Sequence, residues 1–389
     1  MTGGPSGSTR AQLEPQLFAR ARRYCPDLPD GELRIEFTGA REGRLSSVQR
    51  VRIGVGTVER ALVVKLPPGA VASPAPGGTA PGRPRVAPLL DAETKFENER
   101  DALRALERHF DALGDGRFGC VRMLDYLPDV RAIVMESAPG APLRDLLARA
   151  SRFRGSIGAA DPTPAIEAAG AWLRAFHGIP PLPHTRVREA SRKDFIESIH
   201  RFADFLGSAH AAPRLMSRVA AVAEASALEC LPRMLPLATS HGDLAPRNIL
   251  IEPSGRVTVL DTRAAWCAPI YEDIGFFVVA LRTPRVQAYS LGFAFGRRAI
   301  ARYEEAFLRG YFGGEDPPAS RLRLFELQAL LDKWSSGTEA RLRTPERGPA
   351  GAFRNRAFDR LMRRSIESVT DRIAGSIGAR RPEGAGGRS

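Results

Sequence analysis

The stretch SHGDLAPRNILIEPSGRVTVLD, residues 240–261, gathers three oxygen-bearing side chains in one short segment. Asp243 and Asn248 lie five residues apart across a Pro-containing loop, and Asp261 follows at the end of a hairpin pattern. Phosphoryl transfer from ATP needs this inventory. A carboxylate orients an attacking hydroxyl and accepts its proton, and hard oxygen donors hold magnesium against the triphosphate. The amide oxygen of Asn248 and the carboxylate of Asp261, on adjacent strands, suit one shared hard cation. His241 and Gly242 fit a loop-shaping role, the first through its imidazole, the second through its freedom to take positive φ. The plainer alternative is a polar turn cluster with Asp243 as a cap, Asn248 as a turn residue and Asp261 as a strand end.

A second set lies upstream. Lys65 ends the apolar strand ALVVK, where a charge is costly unless paired. Alternation puts Leu62, Val64 and Leu66 on one face and Val63 and Lys65 on the other. In the next helical segment Phe96, Glu99, Leu103, Leu106, Phe110 and Leu113 recur at spacings of three and four, which makes one inward stripe with Glu99 in an apolar slot. Glu99 is either a solvated edge residue or the partner of an inward cation. A Lys65–Glu99 pair would position the lysine for phosphate oxygens. The turn GAREGRLSS ahead of this strand carries glycines, Ser46 and Ser47. It suits an anion approached by backbone N–H groups and hydroxyls, or a plain hairpin turn.

These residues need a scaffold of strands followed by helices. Strands are expected at 32–38, 47–53 and 58–66 after a helix at 11–24. The Pro/Gly/Ala-rich stretch 67–88 reads as a long flexible insertion. A helix is expected over 93–113 with a capping box at Thr94 and Glu97, then a strand pair near 120–126 and 131–135, then the hinge-like SAPGAP. Beyond residue 142 the periodicity is helical (142–150, 163–178, 193–208, 213–228, and from Asp273 onward), broken by a β island over 238–261 whose hairpin turns at Pro253-Ser254-Gly255. The result is an α+β chain with two lobes. A first lobe is expected over residues 11–137 and a helical lobe over 138–379, with tails 1–10 and 380–389 disordered; the family resemblance given below implies nucleotide binding in the first and the catalytic and substrate site in the second.

Composition narrows the function classes. The 389 residues are 43% hydrophobic and 26% charged, a globular balance. No apolar run reaches the roughly 18 residues of a spanning helix, and the N-terminus has no apolar stretch of the secretion type. Four scattered cysteines with no CxxC spacing argue against a zinc ribbon or a disulfide scaffold and fit a reducing cytoplasm. The net charge is +13, yet only residues 65, 95, 193 and 333 are lysine. Arginine is the default cation here, so a lysine in an apolar setting marks a place where a compact point charge is wanted.

HGDLAPRN followed by ILI, a turn, VTVLD and YEDIGFF resembles the aminoglycoside phosphotransferase-like (phosphotransferase enzyme) family, which has a protein-kinase-like fold. VVK, NERDALRAL, IVMESAPGAPL and WLRAFHGIP resemble that family's strand lysine, helix glutamate, hinge and helix before the substrate region. The resemblance covers roughly residues 33–282. It implies an ATP- and magnesium-dependent transfer of the γ-phosphate to a hydroxyl of a small molecule. Asp243 would be the base, and Asn248 and Asp261 the magnesium ligands. Lys65, held by Glu99, would grip the phosphates, and backbone groups at Glu136 to Ala138 would take the adenine. Asp273 would brace the catalytic loop or cap the helix that follows. Arg263 stands where many relatives carry a second acid, which weakens the case for a second metal.

An amino-sugar acceptor is a polycation and calls for an acidic pocket, which Asp194, Glu197, Asp204, Glu272 and Asp273 would have to supply. A sugar or amino alcohol would not need one. Residues 341–389 hold twelve Arg against five acidic residues, on an amphipathic pattern through Phe353, Ala357, Leu361, Ile366, Val369 and Ile373. That segment is either a terminal helix with a solvated basic face or one in weak contact with an anionic membrane surface. Two other classes remain in view: a non-catalytic nucleotide-binding regulator, and a basic nucleic-acid-binding protein. The filled catalytic positions argue against the first, and the lack of aromatics among the basic residues argues against specific nucleic-acid binding.

Overall fold

The computed structural model describes residues 7–42, 46–67, 82–151, 161–188, 190–210, 212–284, 287, 294–343 and 348–378. The chain divides into two compact units. The first comprises the described parts of residues 1–79, 89–140 and 250–265; the second takes residues 80–88, 141–249 and 266–389.

The first unit opens with α1 (Gly7–Tyr24) and continues through β1 (Leu33–Glu42), β2 (Ser47–Val55), β3 (Val58–Leu66), α2 (Ala92–Leu113), β4 (Phe118–Cys120), β5 (Met123–Leu127) and β6 (Ala132–Glu136). Five strands form one antiparallel sheet in the order β1-β2-β3-β6-β5. The alternation along β3 divides its residues between two apolar layers. Leu62, Val64 and Leu66 join Val51, Ile53 and the α1 residues Leu13, Leu17 and Ala21. Val63 joins Ile133, Met135 and the α2 residues Phe96 and Leu103. Lys65 therefore starts from the α2 side of the sheet, as the alternation predicts.

The inward stripe of α2 is buried from Phe96 through Glu99 to Phe110, while Leu113 is exposed. The expected capping box gives way to a stronger cap. Asp91 accepts from the Thr94 backbone N–H at 2.7 Å and from its hydroxyl at 2.6 Å, and Glu97 has no part in it. A carboxylate in the Ncap place outcompetes a threonine inside the first turn.

The second unit carries β7 (Ala141–Pro142), α3 (Leu143–Ala150), α4 (Thr163–His177), β8 (Arg186–Val187), α5 (Arg192–Ala209), α6 (Pro213–Cys230) and β9 (Leu237–Ser240). A 3-10 turn at Pro246–Asn248 leads into β10 (Ile249–Ile251) and β11 (Val257–Val259). β11 pairs in parallel with β4, which gathers residues 250–265 into the first unit. Then follow β12 (Trp266–Pro269), α7 (Ile270–Arg282), α8 (Arg297–Phe312), α9 (Ala319–Arg343) and α10 (Pro349–Gly378). β12 lies between β8 and β9.

Helix packing in this unit depends on small residues. A Cβ at Gly170 of α4 would collide with the carbonyl of Phe307 on α8, and one at Gly310 of α8 with that of Glu167 on α4. α10 packs on α9 and α6 through Ala357, Met362, Ile366, Val369 and Ile373, with Arg356, Arg360 and Arg364 exposed. Phe353, expected on the buried stripe, is exposed, and Met362 carries the packing instead. Among the described residues no helix is long and apolar enough to cross a membrane. Residues 1–6 and 380–389 of the expected tails, 43–45 of the Gly-bearing turn and 68–81 of the expected insertion lie outside the described residues.

Candidate functional site

Within the first unit β3 and α2 bring the predicted pair together. Lys65 Nζ donates to Glu99 Oε1 at 2.5 Å and to Asp261 Oδ1 at 2.9 Å. Lys65 and Glu99 are 6% and 5% exposed, whereas Asp261 is open to solvent. Burial alone would lower the pKa of the ammonium, but Glu99 and Asp261 outweigh it and keep the proton on above the ordinary range. Burial also raises the Glu99 carboxyl, against the pull of Lys65. Asp261 itself takes a left-handed backbone, φ +60°, at the turn out of β11. Aspartate tolerates that conformation better than bulkier residues do.

The second unit holds the HGD loop. Asp273 is 3% exposed and accepts four hydrogen bonds: from His241 N (2.8 Å), Gly242 N (2.9 Å), Ser240 Oγ (3.2 Å) and His177 Nε2 (3.2 Å). Burial raises its pKa, but the His177 bond and charge, His241 and the Gly242 N–H more than reverse this and hold it ionised. His177 Nδ1 in turn meets the Tyr311 hydroxyl at 2.8 Å. A chain of contacts from α8 through α4 to the first turn of α7 thus fixes the loop backbone. Asp273 has the geometry of a brace and not of a helix cap, since the cap position of α7 is Pro269. Gly242 supplies the positive φ (+74°), and His241 Nδ1 accepts from Asp243 N at 3.3 Å.

On that loop Asn248 donates its amide to the Asp243 carbonyl (3.0 Å) and to Asp243 Oδ2 (3.3 Å). These bonds engage the amide nitrogen of Asn248 and tie its side chain to Asp243. Asp243 Oδ1 accepts a short bond from Arg247 Nη2. The sequence reading did not single out Arg247. It lies in a 3-10 turn where no periodicity marks a side chain's direction, and only its adjacency to Asn248 hinted at it.

The hydroxyls and hinge stand differently. Ser47 pairs across the sheet with Leu66, so it belongs to the face opposite Lys65; it is buried, and its Oγ accepts from Gln49 Nε2 at 3.0 Å. The structure does not bring it to Lys65. Ser46 precedes the strand and is half-buried. At the end of β6 the N–H groups of Glu136 and Ser137 donate to the carbonyls of Arg122 (3.1 Å) and Ala61 (3.3 Å). The Glu136 side chain accepts from Arg122 N (3.2 Å), and burial raises its carboxyl pKa. Among the described residues no group of three or more His, Cys, Asp or Glu side chains could hold a metal.

The model of the phosphotransferase enzyme family matches residues 44–323. None of the curated proteins matches the chain. Among solved structures the chain is similar to a protein from Ralstonia eutropha assigned as an aminoglycoside phosphotransferase, at 13% identity and a TM-score of 0.56, with 92% of this chain and 98% of that one covered. It is also similar to an ethanolamine kinase of Plasmodium vivax, at 10% identity and a TM-score of 0.50, with coverage of 96% and 97%. At such identities the likeness is one of fold, and that fold is protein-kinase-like.

Proposed function

We propose, for a chain that belongs to the phosphotransferase enzyme family and is a small-molecule kinase, that it transfers the γ-phosphate of ATP to a hydroxyl group of a small molecule with the help of magnesium. The observation that carries this reading is the buried Lys65–Glu99 pair with Asp261 as the second carboxylate on the same ammonium. A lysine so held is a fixed positive charge whose direction is set before any phosphate arrives.

Asp243 orients the acceptor hydroxyl and takes its proton as the oxygen attacks the γ-phosphorus. The bond from that phosphorus to the bridging oxygen breaks, ADP leaves, and a phosphate ester and one proton are the other products. Lys65, positioned by Glu99, holds the phosphates. Asn248 and Asp261 offer hard oxygens to magnesium, which supplies charge neutralisation on the phosphate chain when bound. Backbone groups at Glu136 to Ala138 meet the adenine edge. Ser46 stays a candidate donor to phosphate, whereas the buried bond of Ser47 to Gln49 gives that hydroxyl a structural part.

The test is a magnesium–ATP transfer screen over hydroxyl compounds, read as a mass gain of one phosphate. Asp243→Ala should abolish the gain while nucleotide still binds. Equal turnover in that variant would remove Asp243 from the chemistry.

A further inference from the structure

The five-stranded sheet of the first unit ends in a long edge. β1 is an outermost strand, ten residues long, and among the described residues no strand pairs with its outer side. Such an edge is a template for another strand unless something covers or breaks it. The pairing within the sheet tells which of its amides are left over. Val55 and Val58 close the two-residue turn at Gly56-Thr57, so their backbone groups are turned toward each other. By alternation Gly54 and Arg52 turn theirs toward β1, where they face Arg34 and Glu36. The same parity sends the Ala61 carbonyl of β3 away from β2, and there the Ser137 N–H donates to it at 3.3 Å. The N–H and C=O groups of Leu33, Ile35 and Phe37 therefore point outward from the edge.

That edge is complementary to itself. Turned about a two-fold axis through Ile35, a second β1 runs antiparallel to the first. Ile35 then exchanges both hydrogen bonds with its own counterpart, and Leu33 exchanges both with Phe37 on either side. The rungs between set Arg34 opposite Glu36 of the second copy, twice over. Arg34 is exposed and gives one of its donors to the Gly56 carbonyl, which leaves the rest of the guanidinium fork. Glu36 already faces Arg52 on β2 at 3.8 Å, and Arg52 faces Glu59 on β3 at 3.9 Å. Charges thus alternate across β1, β2 and β3, and Arg34 of a second copy continues the alternation. The other centres fail. An axis through Arg34 or Glu36 sets like charges opposite each other and meets amides already given to β2. One through Leu33 runs into residues 29–32, outside the strand, and one through Phe37 or beyond meets the bulge at Thr38.

α1 adds an apolar group at the same place. Arg10, Glu14, Phe18 and Arg22 recur every four residues along one flank of the helix. That flank lies toward the edge strand: the Arg10 guanidinium stands 4.7 Å from the centre of the Phe37 ring, and Arg22 donates to the Gly31 carbonyl at 3.2 Å. Phe18 lies between them and is 53% exposed. An axis normal to the sheet keeps both α1 helices on one face of the joined sheet, so the two Phe18 rings come to the same side of the seam. We propose that β1 is an interface between two copies of this chain, paired edge to edge about Ile35. Each copy has one β1 to give, so the contact is isologous and closes at two.

Sedimentation velocity of the full chain from about 1 to 100 μM tests the proposal, and the mass should double over that range. Arg34→Glu sets two acids opposite each other in both rungs. It should weaken dimerisation at least about tenfold, and adding Glu36→Arg should restore most of it. Ile35→Pro removes an outward N–H that the chain's own sheet does not use, and it should abolish the dimer. Thermal melts show whether each variant is folded; should the proline variant not fold, Arg34→Glu and its charge-swapped partner decide the matter. Hydrogen exchange read by mass spectrometry gives the local signature. The peptide carrying residues 33–37 should exchange several-fold more slowly in concentrated than in dilute wild-type protein, and at one slope in Ile35→Pro. A monomer at every concentration, or a dimer indifferent to both Arg34→Glu and Ile35→Pro, would overturn the proposal. Protection of the 33–37 peptide that is equal at all concentrations would show the edge covered by the chain's own residues and would overturn it too.

Discussion

Lys65 is held by one buried carboxylate and one open carboxylate, and the two do different work. Glu99 is fixed on α2 and cannot follow a ligand, whereas Asp261 is solvent-accessible and can exchange its bond to Lys65 for another cation. Glu99→Ala should therefore raise the KM for ATP about tenfold or more. It should also cost about 3 kcal/mol in denaturant unfolding, because a buried ammonium loses its enclosed partner. An unchanged midpoint and KM would mean that Asp261 alone suffices. Lys333 gives a second prediction. Its folded pKa lies near 8 and its ordinary value near 10.5, so between these pH values the unfolded chain binds more protons. Stability should be penalised in full below pH 8 and rise from about pH 8 to 10.5. Lys333→Met should flatten that rise, which is read as the difference between the two variants' unfolding midpoints across the range. Lys65 and Glu99 were legible in the sequence because strand alternation and helix spacing fix side-chain direction. Arg247 was not, because a 3-10 turn has no such rule. Ser47 misled because only the pairing with Leu66 reveals its face.

At the scale of elements, the close approach of α4 and α8 sets the loop. Gly310 adjoins Tyr311, whose hydroxyl meets His177, whose other nitrogen meets Asp273, which holds the N–H groups of His241 and Gly242. Gly310→Ala places a methyl group against the Glu167 carbonyl. It should lower stability by about 1–3 kcal/mol and reduce kcat, since the helices must part and carry Tyr311 and His177 with them. Circular-dichroism melts and steady-state kinetics on one preparation would check both, and a change in neither would detach the helix pair from the loop. The long helices and the sheet strands were readable from periodicity. The two- to four-residue strands β7, β8 and β12 were not, since so few residues carry no period and their pairing partners are distant in sequence. The cap of α2 was missed for a nearer reason: Thr94 hid the better cap, Asp91, three residues before it.

For the whole molecule, charge and division into units matter most. The +13 charge owes much to arginines near the C-terminus, and the structure puts Arg356, Arg360 and Arg364 on the exposed side of a helix packed against α9 and α6. That face is exposed on a helix whose other side packs against the unit. We expect salt-titrated filter binding to retain no RNA or DNA at about 0.15 M salt; retention that persists there would show a nucleic-acid surface. The α+β character and the order of elements were legible in the sequence. The allotment of residues 250–265 to the first unit was not, because it follows from the long-range pairing of β11 with β4. The central claim is phosphoryl transfer to a hydroxyl, and phosphorus NMR of magnesium–ATP with the enzyme and an accepted alcohol tests it most directly. The account predicts one new phosphomonoester resonance for each ADP formed, absent with Asp243→Ala. ATP left intact, or released only as inorganic phosphate and ADP, would contradict it.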